Sequence, residues 1–188
     1  MQNPVSVPDG SLEDRSQQVL SALKAADMTI ITAESCTAGA LACLLARAEG
    51  ASDVLHGGFV TYTKEHKTAA LGVSERLLQE QGAVNVDVVT QLAAGALERS
   101  PATLAIAVSG VLGPEQDEDG NPVGLVYFCV LVKNAPPKVV REEFGRRPHD
   151  QLLEDVIHRA FDLIEGAAKS AGPSHRSMEQ HTRGAPIT

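Results

Sequence analysis

Four consecutive side chains with reactive or hydrogen-bonding groups stand between two apolar segments in the first quarter of the chain. The four are Glu34, Ser35, Cys36 and Thr37. A short β-branched segment, residues 29–33, precedes them, and an Ala- and Leu-rich segment without proline, residues 38–48, follows. These compositions predict a buried strand, a tight turn and a helix, with the four side chains at the start of the helix.

The predicted turn lies where an anion can bind. The first amide N–H groups of a helix lack intrahelical partners, and the helix dipole favours negative charge there. Gly39 has no Cβ, so a ligand can approach the backbone closely. The same residues also suit a structural role, in which Ser35 or Thr37 caps the helix and Cys36 belongs to the core. The local sequence leaves both interpretations open.

The composition is that of an ordinary globular protein and argues against several function classes. The 188 residues are 43% hydrophobic and 21% charged, which is enough apolar material for one domain with a real core. A net charge of −8 without a Lys/Arg stripe argues against a nucleic-acid partner. No apolar run reaches the length of a membrane span, and the first residues lack a secretory signal pattern. We therefore expect a cytoplasmic protein.

The three cysteines, Cys36, Cys43 and Cys129, all lie in apolar segments. Their odd number and wide spacing argue against a disulfide framework or a zinc site and suggest a reducing compartment. We expect neither a metal nor a cofactor. Cys36, at the start of a helix, is expected to be the thiol that reacts fastest.

Periodicity predicts the element order α-β-α-β-α-α-α-β-β-β-α. The predicted helices are residues 11–26, 38–48, 64–71, 75–81, 86–99 and 148–168, and the strands are residues 29–33, 57–63, 104–108, 123–133 and 138–144. Early alternation followed by three successive strands predicts an α/β fold, a three-layer α-β-α sandwich whose mixed sheet has about five strands. Residues 1–10 are expected to be a flexible lead-in, residues 11–168 a single domain, and residues 169–188 a disordered tail.

Side chains that follow parallel strands meet at one edge of a sheet. Ser35, Ser109 and the loop around Tyr62 each follow a predicted strand. We therefore expect them to converge.

Several short segments share the order and spacing of one known family. They are residues 33–39, 50–52, 57–62, Lys67, and residues 71–73, 82–84, 109–110, 113–114 and 122–124. Together they resemble the CinA C-terminal domain family, whose stand-alone members include nicotinamide mononucleotide amidohydrolases. The chain departs from the family pattern at four places. Ala38 replaces a glycine, Ser109 replaces a threonine, the acidic residues 115–121 replace a glycine-rich loop that ends in lysine, and residues 145–147 read Gly-Arg-Arg where the family has Gly-Asp-Arg.

The resemblance implies an amidohydrolase that converts nicotinamide mononucleotide, a small-molecule substrate, to nicotinate mononucleotide and ammonia. It also implies that the protein is a homo-oligomer. Because the matched segments hold no histidine, the candidate nucleophiles are Ser35 and Ser52, with Lys67 as the base and Tyr62 as a proton relay. Lys67 needs desolvation to lower its pKa, and otherwise it is a solvated helix lysine.

The residues expected to contact the substrate lie in three segments. They are Glu34, Thr37, Ala38, Gly39, Ser109, Gly110, Arg146 and Arg147. Both arginines suit a phosphate, which guanidinium groups bind in a bidentate manner. The acidic residues 115–119 have oxygen ligands for a divalent cation but lack calcium-loop spacing, so a solvated turn is the simpler interpretation. They also favour an alternative function, a catalytically weak nucleotide-binding or regulatory protein.

Overall fold

The structure, a computed structural model, describes residues 11–171. The predicted lead-in at residues 1–10 and the tail from residue 172 lie outside the described residues. The helices are α1 (Leu12–Ala25), α2 (Ala40–Arg47), α3 (Lys64–Leu71), α4 (Glu75–Gln81), α5 (Val86–Glu98) and α6 (His149–Ala171). The strands are β1 (Ile30–Glu34), β2 (Leu55–Val60), β3 (Leu104–Gly110), β4 (Leu125–Val132) and β5 (Lys138–Glu143).

The five strands form one mixed sheet in the order β2-β1-β3-β4-β5. β1 is parallel to β2 and to β3, whereas β3 with β4 and β4 with β5 are antiparallel. The carboxyl ends of β1, β2 and β3 therefore meet at one edge of the sheet, and the loops that follow them lie together there.

Helices cover both faces of the sheet, which confirms the predicted three-layer sandwich. Along β3, Leu104, Ile106 and Val108 pack into a cluster with α1, α2 and α6. The intervening Ala105 and Ala107 pack into a second cluster with α3, α4 and α5. Because successive side chains of a strand point to opposite faces, a continuous apolar run is what a doubly covered strand requires.

The largest boundary differences from the sequence prediction are at the ends of β2 and α6. β2 ends at Val60, and Thr63 instead caps α3, where its hydroxyl accepts the N–H of His66. α6 continues to Ala171, so the first three residues of the predicted disordered tail are helical. Nothing breaks the helix there, because Gly172 and Pro173 come only after Ala171. Among residues 11–171, no helix is long and apolar enough to cross a membrane.

A glycine in α5 allows α3 to approach closely. A Cβ at Gly95 would lie 2.1 Å from the backbone oxygen of Leu71, the last residue of α3. Only glycine fits this contact without a shift of backbone. The packing of α3 on α5 therefore depends on this position, and α3 carries Lys67.

We expect Gly95→Ala to destabilise the protein by about 1–3 kcal/mol, although alanine is the better helix former. The matched control is Gly166→Ala in α6, where a Cβ meets nothing within 4 Å. That change should stabilise the fold by about 0.5–1 kcal/mol. Urea unfolding followed by circular dichroism measures both, and shifts of the same sign would contradict the packing argument.

Candidate active site

The side chains of Ser35 and Lys67 meet at the edge of the sheet where the parallel strands end. Lys67 Nζ lies 2.9 Å from Ser35 Oγ. It also donates to the backbone carbonyl oxygens of Thr61, at 2.7 Å, and Tyr62, at 3.2 Å. The two carbonyls fix the position of the amine, so the lysine is held against the serine by the loop that follows β2.

Burial sets the protonation of Lys67. Its side chain is 1% exposed, and this desolvation, with a smaller effect of Lys64, lowers the pKa of Lys67 to about 8. A neutral amine has two N–H donors and one lone pair. The donors match the two backbone carbonyls, and the lone pair then accepts the Ser35 hydroxyl. The geometry therefore suits a lysine that takes a proton from a serine, and it excludes the solvated helix lysine.

Ser35 is positioned by the sheet itself. It directly follows β1, and its N–H donates to the carbonyl of Val108 in β3 at 3.0 Å. Its side chain remains 8% exposed, at the wall of a cleft. The hydroxyl thus reaches both the lysine amine and a ligand in the cleft.

Glu34 corrects the prediction of an open anion site at the turn. Its buried carboxylate accepts the hydroxyls of Thr32 and Thr37 at 2.9 and 2.8 Å. It also accepts three backbone N–H groups at the start of α2, from Gly39, Leu41 and Ala42. The protein's own carboxylate therefore occupies the N-terminus of the helix.

The Glu34 carboxylate and the Thr37 hydroxyl are buried and bonded to each other, and their contact with a substrate stays a prediction. Gly39 also uses its N–H on Glu34. Ala38 and Gly39 adopt left-handed backbone conformations, with φ of 50° and 94°. They shape the turn that presents Ser35, which is a structural role.

The cleft beside Ser35 has a volume of about 650 Å³. Its lining comes from the turn after β1, from the loops after β2 and β3, from the α4–α5 connection and from the start of α6. Tyr62 lines it with a side chain that is 69% exposed. The expected convergence of Ser35, Ser109 and the loop around Tyr62 is therefore present in the structure, and Lys67 and Gly110 line the same cleft.

Ser109 lines the cleft but does not offer its hydroxyl to it. The residue is fully buried, and its Oγ donates to the carbonyl of Ala83 at 2.9 Å. This bond ties the end of β3 to the α4–α5 connection. Gly110 follows without a side chain, and a Cβ there would lie 2.6 Å from the Leu125 oxygen. Both residues shape the cleft wall through the backbone.

The acidic loop, residues 115–121, lies at the cleft and is mostly exposed, as the interpretation of a solvated turn predicts. Lys64 Nζ lies 2.8 Å from carboxylate oxygens of both Glu118 and Asp119. The second oxygen of Asp119 accepts the N–H of Ala83 at 3.2 Å. Hydrogen bonds to both acids raise the pKa of Lys64. Among residues 11–171 no group of three or more His, Cys, Asp and Glu side chains is arranged to hold a metal ion.

The two arginines predicted to bind phosphate differ in their distance from the cleft and in their partners. Arg146 donates to the Pro114 carbonyl and to Glu115, two residues that line the cleft. Arg147 pairs with Asp155 of α6 and does not line the cleft. The structure therefore leaves Arg146 at the cleft rim and removes Arg147 from it.

Ser52 does not line the cleft that contains Ser35 and Lys67. It lies in a short 3₁₀ turn just before β2, at the amino end of that strand. Lys67, in contrast, donates to the carbonyls of Thr61 and Tyr62, the two residues that directly follow the carboxyl end of β2. The expectation that Ser35 and Ser52 share one cleft fails, because a strand length separates them.

Three features of the site were missed by the sequence analysis. The carbonyls of Thr61 and Tyr62 carry no side-chain signal, because any residue supplies that group. His149 lines the cleft from the first position of α6, where the sequence indicated only a basic loop. Ala83 belongs to a segment that matches the family, and that match was a signal without an assigned role.

The comparisons with known proteins confirm the family that the sequence motifs resemble. The model of the CinA C-terminal domain matches residues 12–168. The nicotinamide-nucleotide amidohydrolase PncC of Escherichia coli K12 is 42% identical over 137 residues, 73% of this chain and 83% of that enzyme. Protein YdeJ of the same strain is 39% identical over 127 residues, 68% of this chain and 74% of that protein. A crystal structure of a CinA superfamily protein from Escherichia coli has a TM-score of 0.80 at 33% identity, covering 87% of this chain and 95% of that one.

We expect Glu34→Gln to lower the free energy of unfolding by about 3 kcal/mol, because an amide cannot accept all five hydrogen bonds and buried donors lose their partner. Glu80→Gln is the control, since Glu80 makes an exposed pair with Arg76 and should change stability by less than about 0.5 kcal/mol. Chemical denaturation measures both variants. Equal effects would show that Glu34 does not hold the turn.

The exposure of the cysteines predicts which thiol reacts first. Burial raises the pKa of Cys36 to about 12 and that of Cys129 to about 11, whereas Cys43 is exposed. The structure therefore favours Cys43, and not Cys36, as the thiol that reacts fastest. A disulfide reagent at pH 8 should label Cys43 in a fast phase that Cys43→Ser removes. Cys36→Ser should retain the fast phase, and its loss there would reverse the assignment.

Proposed function

The chain belongs to the CinA C-terminal domain family, and on that premise we propose that it is a nicotinamide-nucleotide amidohydrolase. Its reaction is the hydrolysis of nicotinamide mononucleotide to nicotinate mononucleotide and ammonia. The observation that carries the chemistry is the 2.9 Å contact between Ser35 Oγ and the buried amine of Lys67. A nucleophile beside a base of lowered pKa is what amide hydrolysis requires.

In the first half of the reaction, Ser35 Oγ attacks the carbonyl carbon of the carboxamide while Lys67 Nζ takes the hydroxyl proton. The tetrahedral intermediate then breaks its C–N bond. The protonated lysine returns the proton to the leaving nitrogen, so ammonia departs and an ester on Ser35 remains.

In the second half, a water molecule attacks the ester carbonyl and Lys67 accepts a proton from it. The C–O bond to Ser35 breaks, and the serine oxygen recovers its proton from the lysine. The products are the carboxylic acid and the free enzyme, so one water is consumed for each ammonia released.

Backbone amides of the turn are the donors that we assign to the developing oxyanion. Cys36 and Thr37 directly follow the nucleophile Ser35, and Cys36 lines the cleft. Neither donates to a backbone carbonyl within residues 11–171. Fixed amides beside a nucleophile stabilise a tetrahedral intermediate without reorganisation.

Charge and size of the cleft support a mononucleotide substrate. A volume of about 650 Å³ lies within the usual range for small-molecule sites. The nicotinamide ring of the substrate is a pyridinium cation, which the carboxylates of the acidic loop attract. Arg146 at the rim is the group that we assign to the phosphate. The free cysteines suit a reducing cytoplasm.

The acidic loop also supports the alternative, a nucleotide-binding protein of the same family without turnover. Two of its carboxylates lie in the cleft on Lys64 and add negative charge where a phosphate would bind. Calorimetric binding of the mononucleotide without ammonia release would establish this alternative.

Lys67→Ala should lower kcat/KM for ammonia release by about 10²-fold or more, because it removes the base. In the unmodified protein, kcat/KM should rise with pH, reach half its maximum near pH 8 and level off above it. The sign follows from the lowered pKa of about 8, since only the neutral amine accepts a proton.

Lys169→Ala is the matched control, because this lysine side chain is 73% exposed and should leave the rate unchanged. Full activity of Lys67→Ala in an active enzyme would contradict the Ser–Lys mechanism. A rate that falls as the pH rises from 7 to 9 would also contradict it.

A further inference from the structure

Two cationic side chains at the cleft are already paired with carboxylates of the chain itself. Lys64 Nζ lies 2.8 Å from a carboxylate oxygen of Glu118 and 2.8 Å from one of Asp119. At the rim, Arg146 Nη2 lies 3.1 Å from Glu115 Oε1. A phosphate that binds to either cation must therefore compete with a carboxylate, which carries the same sign of charge and makes the same kind of hydrogen bond.

The other groups that attract an anion at this cleft are engaged as well. Lys67 is bonded to Ser35 and to two backbone carbonyls. His149 lines the cleft, and its Nδ1 lies 3.5 Å from a carboxylate oxygen of Asp150. The N–H groups at the start of α2 are taken by Glu34. Within residues 11–171, a phosphate therefore meets no cation at the cleft that lacks a partner.

The lining of the cleft suits a cationic ligand instead. It contains five carboxylates and two lysines, and the carboxylates belong to Glu65, Glu115, Asp117, Glu118 and Asp119. Tyr62, which is 69% exposed, adds an aromatic ring to the same lining. The face of such a ring attracts a cation. Charge and aromatic surface thus favour the positively charged pyridinium ring of the proposed substrate over its phosphate.

We propose that the cleft also takes this substrate without its phosphate, as a pyridinium nucleoside, and hydrolyses the amide with a kcat/KM within about tenfold of that for the mononucleotide. The inference rests on the proposed amidohydrolase function and adds a second substrate to the same site. The probe is nicotinamide riboside. One water is consumed, the C–N bond of the carboxamide breaks, ammonia leaves, and the carboxylic acid of the nucleoside remains.

The two substrates differ only in the phosphate. They share the carboxamide, on which Ser35 and Lys67 act, and the ring cation, which the carboxylates and Tyr62 attract. The ratio of their kcat/KM values therefore measures what the phosphate contributes to binding of the transition state. A charge-assisted hydrogen bond to an unpaired cation corresponds to roughly 10- to 10²-fold in affinity. We expect a smaller ratio here, because each cation is shared with a carboxylate.

Asp119 fixes the acidic loop to the wall of the cleft. One of its carboxylate oxygens bonds Lys64, and the other accepts the N–H of Ala83 at 3.2 Å. A Cβ at Gly82 would lie 2.4 Å from this second oxygen, so the carboxylate packs directly on the backbone. Within the loop, Asp117 accepts the N–H of Asp119 at 3.1 Å. The carboxylate beside Lys64 is therefore held from three sides.

The first experiment compares the two substrates in the unmodified full chain. Ammonia release is measured with nicotinamide mononucleotide and with nicotinamide riboside over a range of concentrations of each. We expect release from both, with kcat/KM values that differ by less than about tenfold. A larger preference for the mononucleotide, or no release from the nucleoside, would overturn the inference and leave the proposed function standing.

The second experiment frees Lys64 from its carboxylates. The double variant Glu118→Gln/Asp119→Asn should raise the ratio of kcat/KM for the mononucleotide to that for the nucleoside by about tenfold or more, since Lys64 can then bind the phosphate. Adding Lys64→Gln to this variant should remove the gain. Effects on the Ser35–Lys67 pair cancel in the ratio, because both substrates use the same pair.

The matched control is Glu75→Gln/Glu80→Gln. It removes the same two charges from exposed positions of α4, neither of which lines the cleft. The ratio should stay as in the unmodified chain. An equal rise in both double variants would assign the selectivity to net charge alone. That result, or an unchanged ratio in Glu118→Gln/Asp119→Asn, would overturn the role of the acidic loop.

The outcomes separate this inference from the proposed function. Release from the nucleoside alone would support the inference and overturn the mononucleotide as the substrate. Release from neither would overturn the proposed function and the second activity together. Calorimetric affinities of the same two ligands would then decide whether the cleft has a site for the phosphate, since such a site requires tighter binding of the mononucleotide.

Discussion

The carboxylate of Glu34 is the interaction on which the site depends. Five donors converge on it, two threonine hydroxyls and three amides of the first turn of α2. A helix start attracts an anion, and here the anion comes from the end of the preceding strand. The strand, the turn and the helix are thereby joined into one rigid unit. Ser35 directly follows Glu34. The hydrogen bonds of the Glu34 carboxylate therefore fix the turn that orients the Ser35 side chain.

Lys67 reaches Ser35 through packing at a distance from both. α3 lies close against α5 because Gly95 leaves room for the backbone of Leu71, and Lys67 of the same helix is buried. Burial lowers the pKa of the amine, while the carbonyls of Thr61 and Tyr62 hold its position. The reactivity of Lys67 therefore depends on its burial, and its position depends on the loop that follows β2. A lysine on a loosely packed helix would be charged and mobile.

The acidic loop adds negative charge to the lining of this cleft. Lys64 holds Glu118 and Asp119 over the opening, and Asp119 also bonds the α4–α5 connection at Ala83. Ser109 bonds the carbonyl of Ala83 as well. The connection between α4 and α5 is thus fixed from two sides. The carboxylates at the cleft favour a cationic group of the substrate and disfavour a phosphate in the same position.

The sequence by itself determined the element order and the mixed sheet, because β-branched runs, caps and glycine stops are local signals. Ser35, Ser52 and Lys67 became candidates through the resemblance to the family. The sequence could not decide that Glu34 is structural, since a carboxylate before a helix looks the same whether it binds a ligand or its own backbone. It could not place Ser52 either, because the distance along β2 matters only once the sheet is formed. Tertiary structure decided these points, since burial and the direction of each strand arise only when distant segments pack together.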